Sequence, residues 1–113
     1  MKEPSELEEA LLFQIRVAGL PDPVCEYRAI PGRKYPWDGA WPEQRILYEI
    51  QGGIWRKGGH STGAGITRDC EKHNLAVLHG WRDFLFTAAM IKDGTALAML
   101  CEALNKKGEA CRS

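Results

Sequence analysis

Long apolar runs are absent from this chain: nothing approaches the roughly 18 residues that a membrane helix needs, and no stretch has the composition of a secretory leader. Net charge is lacking too. Fifteen basic side chains balance fifteen acidic ones, so no global field selects nucleic acid, a lipid surface or an acidic substrate. The four cysteines, Cys25, Cys70, Cys101 and Cys111, are widely spaced and form no CxxC. Structural zinc and a redox dithiol therefore lose their usual signature, and thiols in a cytoplasmic protein are the expectation. Internal repeats, low-complexity tracts and linkers are missing as well. With 113 residues, that leaves one domain, residues 1–113, with a core over about 5–105 and a tail at 106–113.

What is present is ordinary globular composition, 44% hydrophobic and 27% charged, with an uneven charge order. Residues 1–27 hold two basic and six acidic side chains, whereas 28–72 hold eight basic and five acidic, which permits a local basic face or simply a solvated surface. Ser5 with Glu8 forms a capping-box pattern ahead of Leu7, Leu11, Leu12, Ile15 and Ala18 at helical spacing, and Gly19 ends that helix. Three β-prone pieces follow, about Cys25–Ile30, Tyr35–Ala40 and Arg45–Gln51, the last two joined through "WPEQ". After a glycine-rich loop, "GGIWRKGGHSTGAG", a helix is expected from Ile66 to His79 with Ile66, Cys70, His73 or Asn74, and Val77 on its inner side. A short strand "WRDFLF" and a helix capped by Asp93 or Thr95 complete the order α, three strands, α, strand, α.

The sequence's most specific chemistry lies in the hairpin. A turn centred between Glu43 and Gln44 pairs residues of constant sum, which sets Asp38 opposite Glu49. Alternation puts Ile46, Tyr48 and Ile50 on one face and Leu47, Glu49 and Gln51 on the other. Two carboxylates that close repel unless a proton or a cation lies between them, and oxygen ligands with room for water suit Mg²⁺ or Mn²⁺. Alternatively, Asp38 is a turn residue and Glu49 a solvated edge acid.

The stretches "WDGAWPEQRILYEIQGGIW", "GGHSTGAGITRDCEKHN" and "GWRDFLFT", taken with the element order, resemble the PD-(D/E)XK nuclease superfamily, and in particular small phage-type endonucleases related to the very-short-patch-repair enzymes. The resemblance spans roughly Glu8 to Leu104. It implies an α/β fold, an αβββαβα restriction-endonuclease-like core with a mixed sheet flanked by helices. It also implies a Mg²⁺- or Mn²⁺-dependent endonuclease acting on DNA, with Asp38, Glu49 and Gln51 as metal ligands and Glu8 orienting a water. Two positions depart from the pattern: Gln51 stands where lysine is usual, and Gly39 where an aromatic is common. Lys34, Arg28 and Lys57 are the sequence's candidates for the missing charge.

His60 in the glycine-rich loop either faces solvent or does acid–base work, as a histidine near this point does in the relatives. Asp69 is read either as a helix-start carboxylate or as a partner of His60 or a metal water. Most of the large rings are expected in the core, with Trp55 beside Arg56 and Lys57 as a stacking contact. Arg33, Lys34, Arg56, Lys57 and Arg68 are the candidates for phosphate contacts. The rival expectations are a catalytically inactive nucleic-acid-binding module and a small structural phage protein. A homodimer would fit an enzyme whose single small site cuts one strand at a time.

Overall fold

A computed structural model describes residues 5–51 and 63–104 of the chain. The Trp55, Arg56, Lys57 and His60 expectations fall outside these residues. Helix α1 spans Glu6–Val17, and the expected capping box is formed: Glu8 N–H donates to Ser5 Oγ while Ser5 N–H donates to Glu8. Such a box stabilises a helix start by about 1 kcal/mol. Gly19, at φ 82°, takes the left-handed conformation that stops the helix.

Strands β1 (Val24–Arg28), β2 (Pro36–Trp41) and β3 (Ile46–Gln51) form an antiparallel meander. Helix α2 (Gly63–Leu78) then leads to β4 (Arg82–Thr87), which lies parallel to β3 and completes a four-stranded mixed sheet of order β1-β2-β3-β4. The β2–β3 connection is a single 3-10 turn over Pro42–Gln44 closed by Arg45 at φ 60°. The Arg45 guanidinium, 4.4 Å from the centre of the Trp81 ring and bonded to the His79 carbonyl, anchors this left-handed residue. A short helix α3 (Ala88–Lys92), absent from the expected order, is capped by Thr87 and precedes α4 (Thr95–Leu104).

The sheet separates two apolar layers. On one face Leu11 and Ile15 of α1 meet Ile46, Tyr48 and Phe86 of the sheet and Ile91, Ala96 and Leu100 of α3 and α4. On the other, Trp37, Ala40, Leu47 and Trp81 pack beneath Ala76 of α2. The fold is therefore α/β, a mixed sheet flanked by helices, and three of the four tryptophans are core residues as expected. Cys25 and Cys70 are free thiols, but buried Cys101 is disulfide-bonded, which differs from the expectation of thiols throughout. No helix among the described residues is long and apolar enough to cross a membrane.

Helix α2 is turned differently from its sequence reading. Ile66 and Val77 of the expected inner stripe are 54% and 64% exposed, and Cys70 is exposed too. The side facing the sheet carries Lys72, His73 and Ala76 instead. Polar contacts beneath the helix explain this rotation, because Lys72 and His73 both find partners on the strands.

Candidate active site

Trp37 of β2 is the floor of a polar cluster under α2. Its side chain is fully buried, its Nε1 donates to Asp83 Oδ1 at 3.0 Å, and its ring lies 4.7 Å below the Lys72 ammonium and edge-on to His73. Three otherwise costly polar groups are thus fixed by one aromatic side chain.

Lys72 is a buried charged residue. Its Nζ donates to Glu49 Oε1 at 2.7 Å and to the Pro36 carbonyl at 2.8 Å. A buried ammonium without such partners would be expelled or neutralised, so the two acceptors account for its placement. His73, one residue on, meets Asp83 through Nδ1. An ionised carboxylate only accepts, so Nδ1 carries the proton in that contact, and in the singly protonated ring Nε2 presents a lone pair. That Nε2 atom is buried and has no hydrogen-bond partner; it lies 3.4 Å from Glu49 Oε1 and 3.9 Å from Asp69 Oδ1. One donor atom from each of Glu49, Asp69 and His73 lies within 4.8 Å of the others, spacing that fits a divalent cation.

The alternation expected for β3 is present: Ile46, Tyr48 and Ile50 lie against the α1 side, Leu47 and Glu49 against α2. The β2–β3 register also has the expected constant sum through Gly39↔Tyr48, Ala40↔Leu47 and Trp41↔Ile46. Beyond Gly39 the pattern changes. Trp37 and Ala40 both belong to the α2-side core although they are three residues apart, so β2 breaks alternation between them. The neighbouring strand is distorted at the same level, where Glu26 has φ 52°. Within this break the Asp38 carboxylate accepts the Ile50 N–H at 2.8 Å.

The sequence-predicted residues are therefore distributed. Glu49 enters the donor group; Asp38, Gln51 and Glu8 are not part of it. Burial first, and then the negative charges of Asp38 and Glu8 among others, push the Tyr48 phenol and the Cys25 thiol up. Gln51 lies half-buried at the end of β3 opposite Thr87. Arg33 is paired with Glu71 at 3.1 Å, and Tyr35 also donates to that carboxylate. The Tyr35 hydrogen bond and then Arg33 hold Glu71 below the ordinary carboxylate range, while Glu71 raises Arg33. Lys34 and Arg68 are exposed.

Asp69 belongs to the second turn of α2, which begins at Gly63, so it does not open the helix as the sequence suggested. The residues missed by sequence reasoning are Lys72, Asp83, and His73 as a donor beside Glu49 and Asp69, since the sequence offers it only with Cys70, Cys25 and His60 in a zinc pattern that lacks the usual spacing. Their signal was the spacing of Asp69, Lys72, His73 and Ala76, which share one side of a helix. That stripe is mostly polar, and the apolar one was taken as the inner face. No family model, curated protein or solved structure matches the chain.

Proposed function

We propose that this chain is a metal-dependent endonuclease of the PD-(D/E)XK kind that hydrolyses DNA phosphodiester bonds with Mg²⁺ or Mn²⁺. The observation that carries the reading is the Lys72–Glu49 contact. The superfamily resemblance leaves one gap, the lysine missing at Gln51, and α2 delivers a buried ammonium to the next strand acid.

Each residue has a role that follows from its surroundings. Lys72 is held by Glu49, the Pro36 carbonyl and the Trp37 ring, so its charge is preorganised for a non-bridging phosphate oxygen. Glu49 anchors both that ammonium and the donor group with Asp69 and His73. Asp38 is fixed by the Ile50 N–H beside Glu49 on β3. A divalent cation, when bound, lowers the pKa of a water and neutralises charge developing on the phosphate. Gln51 has an amide carbonyl suited to holding a ligand or a water. Lys34 and Arg68 are exposed and are the phosphate contacts this reading assigns, and Arg33 would have to leave Glu71 to join them. Glu8, Trp55, Arg56, Lys57 and His60 enter the reading through the resemblance.

The second reading, a DNA-binding module without catalysis, draws on the same site: Lys72 already occupies Glu49 Oε1, and Gln51 carries no charge. Incubation with plasmid, branched and mismatched DNA in Mg²⁺ or Mn²⁺ separates the two. Metal-dependent cleavage of any of these supports the nuclease; retention of DNA without cleavage supports the module.

A further inference from the structure

The charge count beneath α2 is unbalanced. Three carboxylates, Glu49, Asp69 and Asp83, meet around the imidazole of His73, and the Lys72 ammonium contacts one of them, Glu49; the count that follows takes the ring with one proton, on Nδ1. At formal charges this leaves two negative charges, the amount a divalent cation balances. The buried, unpartnered His73 Nε2 faces two of those carboxylates. A lone pair turned toward anionic oxygens is repulsive in a low-dielectric site unless a cation or a proton stands between them.

We propose that Glu49, Asp69 and His73 form a cation site with one nitrogen ligand, which binds Mn²⁺ and similar transition-metal ions in preference to Mg²⁺. Asp83 acts as a positioning residue. Its contact with Nδ1 fixes the ring and its tautomer, and the Trp37 Nε1 hydrogen bond fixes Asp83 in turn. Asp83 is buried deeper than the ligands, its side chain 4% exposed against 52% for Asp69, so the mouth of the site opens on the Asp69 side. Carboxylates alone suit Mg²⁺, Ca²⁺ and Mn²⁺, whereas imidazole favours transition-metal ions; a mixed set therefore discriminates against Mg²⁺. This deepens the nuclease reading and rests on it for the cation's catalytic use, but cation binding is measured separately.

The test uses the tag-free full chain and Mn²⁺ or Mg²⁺ alone. Calorimetric titration should give at least tenfold tighter binding of Mn²⁺ than of Mg²⁺. Electron spin-echo envelope modulation of the Mn²⁺ complex should show a directly coordinated imidazole nitrogen. His73→Gln should remove that signal and weaken Mn²⁺ binding about tenfold or more, while changing Mg²⁺ binding little. Asp83→Asn should weaken Mn²⁺ binding roughly 10- to 100-fold. Asp69→Asn, at a half-exposed side chain, is the variant least able to disturb folding and should also weaken Mn²⁺ binding. No saturable Mn²⁺ binding, equal affinity for the two ions, or a nitrogen signal that survives in His73→Gln would overturn the proposal. DNA cleavage in Mg²⁺ with no His73-dependent Mn²⁺ site would sink this inference and leave the nuclease intact. A His73-dependent Mn²⁺ site in a protein that cleaves no DNA would do the reverse.

Discussion

Lys72 Nζ lies 2.7 Å from Glu49 Oε1, a contact between the middle of α2 and the end of β3 that joins a helix to the sheet through charge. It brings an ammonium to Glu49, two residues before Gln51 on the same strand. The same ammonium lies over the Trp37 ring, so on the nuclease reading stability and activity meet in one side chain.

Lys72→Met preserves the stem and removes the charge. Cleavage should fall at least about 100-fold, as expected when a preorganised charge-stabilising donor is lost. Stability should fall by only about 1–2 kcal/mol, because the Glu49 side chain keeps 23% exposure and can recruit water. Urea unfolding beside a cleavage assay measures both; a variant that cleaves at the parental rate would reduce Lys72 to a structural role.

Gln51→Lys tests the departure from the superfamily pattern. Glu49 and Gln51 are two apart on β3 and so share a face, where Lys72 already stands. A second ammonium would repel the first and compete with a cation, so the variant should cleave no faster than the parent, and Gln51→Ala should cleave more slowly. An inactive parent converted by Gln51→Lys into an active enzyme would mean that the site is a decayed one.

Gly39 is explained by packing. A Cβ added there would fall within the buried Tyr48 ring, directly across the β2–β3 ladder. Gly39→Ala should therefore destabilise by about 1–3 kcal/mol, the usual cost of overpacking, or more if the ring cannot move. Tyr48→Leu should relieve part of the clash, so the double variant should lose less than the sum of the two. Simple additivity in thermal unfolding would show that the ring is not the obstacle.

Burial, followed by the nearby charges of Cys25, Asp38 and Glu8, raises the Tyr48 phenol in the folded state. The unfolded chain releases that proton near pH 10, and the folded chain retains it to higher pH. Stability linked to Tyr48 is thus fully present below pH 10 and falls above it, by about 1.4 kcal/mol per pH unit for one group. Tyrosinate absorbance should include a fraction that appears only with alkaline unfolding. Tyr48→Phe should flatten the decline between pH 10 and 11; an unchanged decline would assign it to other groups.

Local signals were the easiest to read. The Ser5–Glu8 box, the strand alternation around Tyr48 and the constant-sum register of the hairpin depend on neighbours in sequence, and each is present. Helix α2 was legible as a helix but not in rotation. Hydrophobic periodicity turns the Ile66–Val77 stripe inward, whereas strand acids, a strand carbonyl and the Trp37 ring turn Lys72 and His73 inward. Partners from β2, β3 and β4 converge there, and their convergence is not written in any one segment. Asp38 illustrates the same limit. The constant sum from the turn sets it opposite Glu49, but the β2–β3 ladder runs only from Trp41 back to Gly39, and the break in alternation beside Trp37 goes with a carboxylate that accepts from Ile50 instead.

The central claim is metal-dependent phosphodiester cleavage at the site built around Glu49. Single-turnover nicking of supercoiled plasmid in Mn²⁺, compared for the parent, Glu49→Gln and Asp38→Asn, tests it most directly. The account predicts nicking by the parent that chelation abolishes, and a loss of at least about 100-fold in Glu49→Gln with circular dichroism unchanged, whereas Asp38→Asn, which keeps an oxygen for the Ile50 N–H and lies outside the donor group, should lose less. Equal nicking by parent and Glu49→Gln, or none by the parent in either metal on any DNA, would contradict it.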